Sequence, residues 1–130
     1  MSSRILFALN EPGMVQLFTY ASKANGYEVD SVVLPEQVGL RTSNSLEQEV
    51  LENLSKREYK AVAMDANFPF PSSDKVEFSN RVYRICQARN IWFASFACLD
   101  STVKASQDLG TPTIGKLDFS ILKFLKTGEI

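Results

Sequence analysis

The sequence predicts an α/β fold: one doubly wound parallel sheet with helices on both faces. Three observations predict it. Short apolar runs alternate with stretches of helical periodicity along the whole chain, the pattern of repeated βαβ units. Several of these runs are apolar at almost every position, as in strands buried on both faces. The most informative run, Tyr59-Lys-Ala-Val-Ala-Met-Asp65, ends in a carboxylate and is followed at once by a turn signal, Asn67 to Pro69. Open α/β sheets place their ligand sites at the C-terminal ends of strands, and a charged group stationed there is costly without a partner or a task.

The elements follow in order. Arg4 to Leu9 is the first strand. Met14, Leu17, Phe18 and Ala21 recur at helical spacing, and Asn25-Gly26 stops that helix. Tyr27 to Leu34 reads as the second strand, with Val29 and Val33 on one face. Pro35 to Ser45 is a polar loop, long for its kind. Leu46, Val50, Leu51 and Leu54 mark the second helix, with Asn44 or Ser45 as its cap. Tyr59 to Met64 is the third strand. Phe68-Pro-Phe-Pro71 is irregular because two prolines forbid regular structure. Ser72 or Ser73 caps the third helix, whose core stripe is Phe78, Val82, Ile85 and Cys86. Ile91 to Phe96 is the fourth strand. A short helix, Ser101 to Leu109, ends at Gly110, and Thr113 to Ile114 is a brief fifth strand. Asp118 caps a last helix with Ile121, Leu122 and Leu125 inward. The pattern holds no repeats and no internal linker, so residues 1–130 read as one domain, with no DNA-binding or catalytic domain after it.

Composition narrows the classes. With 45% apolar and 22% charged residues and a net charge of −1, this is an ordinary globular composition. It argues against a nucleic-acid surface driven by bulk charge. No apolar run approaches the length of a membrane span, and the N-terminus lacks the pattern of a signal peptide, so a cytoplasmic setting is expected. The two cysteines, Cys86 and Cys98, have no metal-ligand spacing and read as free thiols. There is no histidine, which removes His-based triads and most zinc sites. The available chemistry is carboxylate, amine, hydroxyl and backbone.

Four positions carry a resemblance: Asp65 in Asp-x-Asn-x-Pro, Asn67 two residues on, Ser95 at the end of the fourth strand, and Lys116 in Ile-Gly-Lys. In this order, each at a strand end, they resemble response-regulator receiver domains. The resemblance spans the chain and implies the flavodoxin-like receiver fold, a five-stranded sheet in the order 2-1-3-4-5 with right-handed crossovers. It implies that Asp65 is the phosphoacceptor and that Ser95 and Lys116 contact the phosphoryl group. It implies a magnesium site from Asp65 and the backbone carbonyl of Asn67, with Asn10 and Glu11 beside them. Asp65, Ser95 and Lys116 are expected to converge at one sheet edge, with Lys116 within salt-bridge reach of Asp65.

The chain departs from the receiver pattern at its first strand. Where receivers end that strand with paired aspartates, Ile5-Leu-Phe-Ala-Leu-Asn-Glu-Pro12 offers Leu9 and Asn10. Phe96 follows Ser95 where a small residue is usual, Leu117 replaces the proline after the lysine, and Thr113 stands where many receivers carry a switching aromatic. Magnesium binding is therefore expected to be weak or absent, and phosphorylation slow or absent. Two readings follow. One is a two-component receiver phosphorylated at Asp65 by a histidine kinase and signalling through protein contacts. The other is a pseudo-receiver that only docks a protein partner or a second copy of itself. Neither is an enzyme, and neither touches nucleic acid or membrane directly. A small metabolic enzyme or nucleotide binder is a third class, unsupported by any glycine-rich phosphate loop. Phe68 and Phe70 have two readings as well: a lid packed over the third helix, or an exposed aromatic patch for a partner.

Overall fold

The structure, a computed structural model, describes residues 3–34, 43–115 and 121–129, and of residues 121 and 122 the backbone alone. Strands and helices alternate strictly: β1 (Arg4–Leu9), α1 (Pro12–Ala24), β2 (Glu28–Val33), α2 (Ser43–Lys56), β3 (Ala61–Asp65), α3 (Glu77–Ala88), β4 (Trp92–Ala97), α4 (Asp100–Asp108), β5 (Thr113–Gly115) and α5 (Ile121–Thr127). The five strands are parallel and ordered β2-β1-β3-β4-β5. This is the flavodoxin-like receiver topology the sequence predicts. All six residues of β1 except Arg4, and all five of β3, are buried. These central strands are covered on both sides, which is why their runs carry no polar alternation.

Each face has its own core. On one, Leu6, Ala8, Val62, Met64 and Phe93 meet Leu46, Val50 and Leu54 of α2 and Phe78, Val82 and Cys86 of α3. On the other, Ile5, Phe7, Leu9, Ala61, Ala63, Ala94 and Phe96 meet Phe18 of α1 and Phe124 and Leu125 of α5. Odd positions of β1 and β3 thus face α1 and α5, and even positions face α2 and α3. In β4 the even positions face α1 and α5.

Three local expectations are corrected. The buried stripe of α1 is Phe18 and Ser22, while Leu17 is 58% exposed. The Phe18 ring is held between Phe7 and Phe96, its centroid 5.6 Å from each, and this sets the rotation of the helix. Ser22 tolerates burial because its hydroxyl donates to the Phe18 carbonyl at 2.7 Å. Second, Ser72 and Ser73 do not cap α3, whose N-cap is Val76. Ser73 instead closes the preceding loop, its Oγ donating to the Phe70 carbonyl at 2.8 Å. Third, Asn44 and Ser45 lie inside α2, which starts at Ser43. Asp118, expected as the cap of α5, and residues 35–42 of the long loop lie outside the described residues.

Candidate functional site at the carboxyl edge of the sheet

Asp65 is the last residue of β3 and only 3% exposed. Its Oδ2 accepts the backbone N–H of Asn10 at 2.7 Å, where the chain leaves β1 and turns into α1. The Asn10 side-chain amide donates to Asn67 Oδ1 at 3.0 Å, and Asn67 Nδ2 donates to the Ser73 carbonyl at 3.0 Å. Asp65, Asn10 and Asn67 therefore form one connected unit that ties the loops after β1 and β3 together. The backbone carbonyl of Asn67 accepts Phe70 N–H at 2.6 Å within the β3–α3 turn. Asn10 Oδ1 is buried and has no hydrogen-bond partner among the described residues. Glu11 is exposed, and its backbone carbonyl starts α1 by accepting from Met14 and Val15.

The register decides what surrounds the carboxylate. Asp65 pairs with Phe96 of β4, and Ala66 N–H donates to the Phe96 carbonyl at 2.9 Å. On the other side Ala8 pairs with Met64, so the next step brings Leu9 beside Asp65. Residues level with one another in a parallel sheet point to the same face. Asp65 thus sits between Leu9 and Phe96, both fully buried on the α1–α5 side.

Ser95 is elsewhere, and the expectation for it is corrected. It pairs with Met64, whose side chain lies in the core under α2 and α3, so Ser95 projects from the opposite face to Asp65. Its Oγ donates to the Pro112 carbonyl at 2.8 Å and meets Thr113 Oγ1 at 2.6 Å. Thr113 Oγ1 in turn meets Ser106 Oγ of α4 at 2.6 Å. The serine belongs to a buried hydroxyl chain joining β4, β5 and α4, and Phe96 occupies the strand position beside the carboxylate. Sequence reasoning missed this chain. Residue type alone gave no signal for it, since Ser95, Ser106 and Thr113 meet only through the pairing of β4 with β5 and the packing of α4.

Phe68 is also corrected as a partner patch. It is fully buried, its ring 6.3 Å from that of Phe78 in the α2–α3 core. Phe70 is half-buried, with the Lys75 ammonium 4.9 Å from its ring centroid. The lid reading holds for Phe68, because a fully apolar ring next to a helix stripe gains more inside than out. Lys116, and with it the expected ion pair to Asp65, lies outside the described residues.

The donor set bears on the magnesium that the resemblance implies. Among the described residues no three His, Cys, Asp or Glu side chains gather into a group that could hold a metal. The side-chain oxygens that join Asp65 in its connected unit are neutral amide oxygens, those of Asn10 and Asn67. Magnesium takes hard oxygens in near-octahedral array, commonly one or two carboxylates with water completing the set. Where the receiver pattern has paired aspartates this chain has Leu9 and Asn10, so Asp65 is the one carboxylate of this connected unit.

Solved structures resemble this chain over nearly its full length. A chemotaxis response regulator of Vibrio cholerae aligns with a TM-score of 0.63 at 16% identity, covering 98% of this chain and 96% of its own. The signal receiver domain of an HD domain-containing protein from Pseudomonas fluorescens aligns at 0.64 and 12%, covering 97% and 90%. A beryllofluoride-activated NtrC4 receiver domain dimer aligns at 0.61 and 16%, covering 97% and 95%. No protein-family model matches the chain, and no curated protein matches it. The chain has the receiver-domain fold. Among the described residues no helix is long and apolar enough to cross a membrane.

Proposed function

We propose that this chain is a signalling module of receiver fold, a single domain, that acts by docking a protein partner and not by phosphoryl transfer at Asp65. The observation that carries this reading is the register that sets Leu9 and Phe96 on either side of the carboxylate. Accepting a phosphoryl group requires a cation at the carboxylate to neutralise the incoming charge. Each carboxylate missing from such a site forfeits on the order of a few kcal/mol of attraction at contact distance, and the Phe96 ring occupies space beside the acceptor. The same fold in response regulators makes a protein partner, such as a histidine kinase or a downstream protein, the expected ligand. A second copy of the chain is the other candidate, since the NtrC4 receiver neighbour is a dimer. Exposed apolar residues available for contact are Leu17 and Tyr20 on α1 and Leu99 and Leu109 at the two ends of α4.

Intact mass after incubation with acetyl phosphate and magnesium tests the proposal. No addition is expected in the folded protein. Rapid stoichiometric addition of one phosphoryl group, abolished by Asp65→Ala, would overturn it and make the chain a working receiver. The double variant Asn10→Asp, Phe96→Ser supplies a second carboxylate and removes the ring. Its gain of slow phosphorylation, with the fold verified by circular dichroism, would identify those two residues as what closes the site.

A further inference from the structure

We infer that the opposite, amino edge of the sheet carries a second site, a cleft for a small planar organic anion, centred on Lys60 and Trp92. A cavity of about 780 Å³ opens there, walled by Tyr59, Ile91 and Trp92 and rimmed by three cations, Arg57, Lys60 and Arg89, and one carboxylate, Glu58. A neighbouring cavity of about 410 Å³ shares Asn90, Ile91 and Trp92. The first volume lies within the usual range of small-ligand sites, and an apolar wall with a few polar groups is their usual lining.

The cations at this edge divide into two kinds. Arg57 pairs with Asp30 at 3.3 Å, and Arg89 donates to the Leu54 carbonyl at 2.6 Å, completing the C-terminal end of α2. Those two have structural work. Lys60 has no such partner among the described residues. It is half-buried, and its ammonium lies 4.7 Å from the Trp92 ring centroid and 5.4 Å from that of Tyr27. Aromatic faces attract an ammonium but leave its charge unneutralised. A partly desolvated cation held only by rings gains most from an anionic oxygen. The backbone holds it in place: Lys60 N–H donates to the Arg4 carbonyl at 2.8 Å, and its own carbonyl accepts Trp92 N–H at 3.0 Å. Trp92 is fixed from behind, since a Cβ added at Gly128 would stand 2.6 Å from the indole. The ammonium is thus presented at the mouth of an aromatic cleft with a rigid wall. The matching ligand is a flat ring bearing a carboxylate or phosphate, its oxygen on Lys60, its ring against the apolar wall, and Arg89 at the rim.

Trp92 is the chain's single tryptophan, so its fluorescence reports occupancy directly. Phenyl phosphate is the probe, with phenol as its neutral counterpart and inorganic phosphate as its ringless one. The expected result is a saturable change with a dissociation constant of about 1 mM or tighter, and weaker binding of both controls. Lys60→Gln should weaken binding about tenfold and Lys60→Arg should retain it. Asp65→Asn should leave it unchanged, which separates this site from the carboxyl edge. Amide chemical shifts should move at residues 57–60 and 89–92. No saturable change in the folded protein, equal binding of phenol, an unaffected Lys60→Gln variant, or shifts mapping elsewhere would each overturn the inference.

Discussion

The two edges of this sheet place their charges in opposite surroundings. At the carboxyl edge the Asp65 carboxylate stands in a packed layer, level with Leu9 and Phe96, while Ser95 is turned to the other face. At the amino edge charged and polar groups gather instead. Asp30 accepts from Arg4 at 2.9 Å, from Tyr59 at 2.7 Å and from Arg57, Arg4 also meets Glu28, and Lys60 lies against two rings. The fold is that of receivers, and among the described residues the carboxyl edge holds one buried carboxylate while the amino edge holds partly exposed ion pairs. Strand order thus fixes where a site lies, whereas register and side-chain phase decide what the site contains.

Packing should dominate the carboxyl edge, so the largest effect is expected there. Phe96 is fully buried and edge-on to Phe18 at 5.6 Å. Phe96→Ala should cost about 3–5 kcal/mol in denaturant unfolding, almost independently of salt. A loss below about 1 kcal/mol would mean that this edge is loosely packed and that the contrast between the edges is false.

The next effect is a pH dependence carried by groups away from Asp65. Burial pushes the Cys86 thiol from its ordinary value of 9.0 up to about 12. Burial, with the hydrogen bond to Asp30, also raises Tyr59 above its ordinary range. Both groups stay protonated in the folded chain at pH values where the unfolded chain ionises. The Cys86 contribution is therefore complete below about pH 9 and is lost as pH climbs toward 12, that of Tyr59 starts to be lost only above about pH 10, and each falls at roughly 1.4 kcal/mol per unit within its own window. Urea midpoints should fall steadily from pH 9 upward, and Cys86→Ala should flatten the first part of the fall. Cys98, which is exposed, should react with a thiol reagent at pH 8 while Cys86 does not.

A smaller effect distinguishes the amino edge by its salt dependence. Asp30→Asn weakens the ion pairs to Arg4 and Arg57 and the bond from Tyr59. These groups are partly exposed, so a cost of about 1–2 kcal/mol at low salt, shrinking toward 1 M salt, is expected from thermal melts. A cost unchanged by salt would show packing at both edges.

The smallest effect concerns the hydroxyl chain. Ser95→Ala removes the bond to Pro112 and the contact with Thr113 Oγ1, while Thr113 keeps Ser106 as a partner. A loss of about 1 kcal/mol is expected, with no change in phosphate incorporation. A change in phosphorylation would return Ser95 to the site that Asp65 occupies.

Consecutive residues were enough to read the alternation of five strands and five helices, the inward stripes of α2 and α3, and the placing of Asp65 at a strand end. These are local matters of periodicity, apolar run length and turn chemistry. The absence of an acid pair before Pro12 was equally legible, because residue type alone shows that Leu9 can ligate nothing. The phase of β4 came only with the folded molecule. Trp92-Phe-Ala-Ser-Phe-Ala97 is a strand nearly all buried on both faces, so its pattern contains no sign of which residue, Ser95 or Phe96, stands level with Asp65. Register is a relation between strands far apart in sequence, set by how both cores fill. The rotation of α1 followed from the same cause, since Phe18 and Leu17 are equally apolar and only the space between Phe7 and Phe96 chose between them. The start of α3 was displaced because Ser73 and Asn67 bond within the loop that closes the site. The Lys60 cleft lay beyond sequence reading for a related reason: Tyr27, Lys60 and Trp92 each precede or open a strand, and only the parallel pairing of β1 with β2 and β3, and of β3 with β4, brings those strand beginnings to one edge.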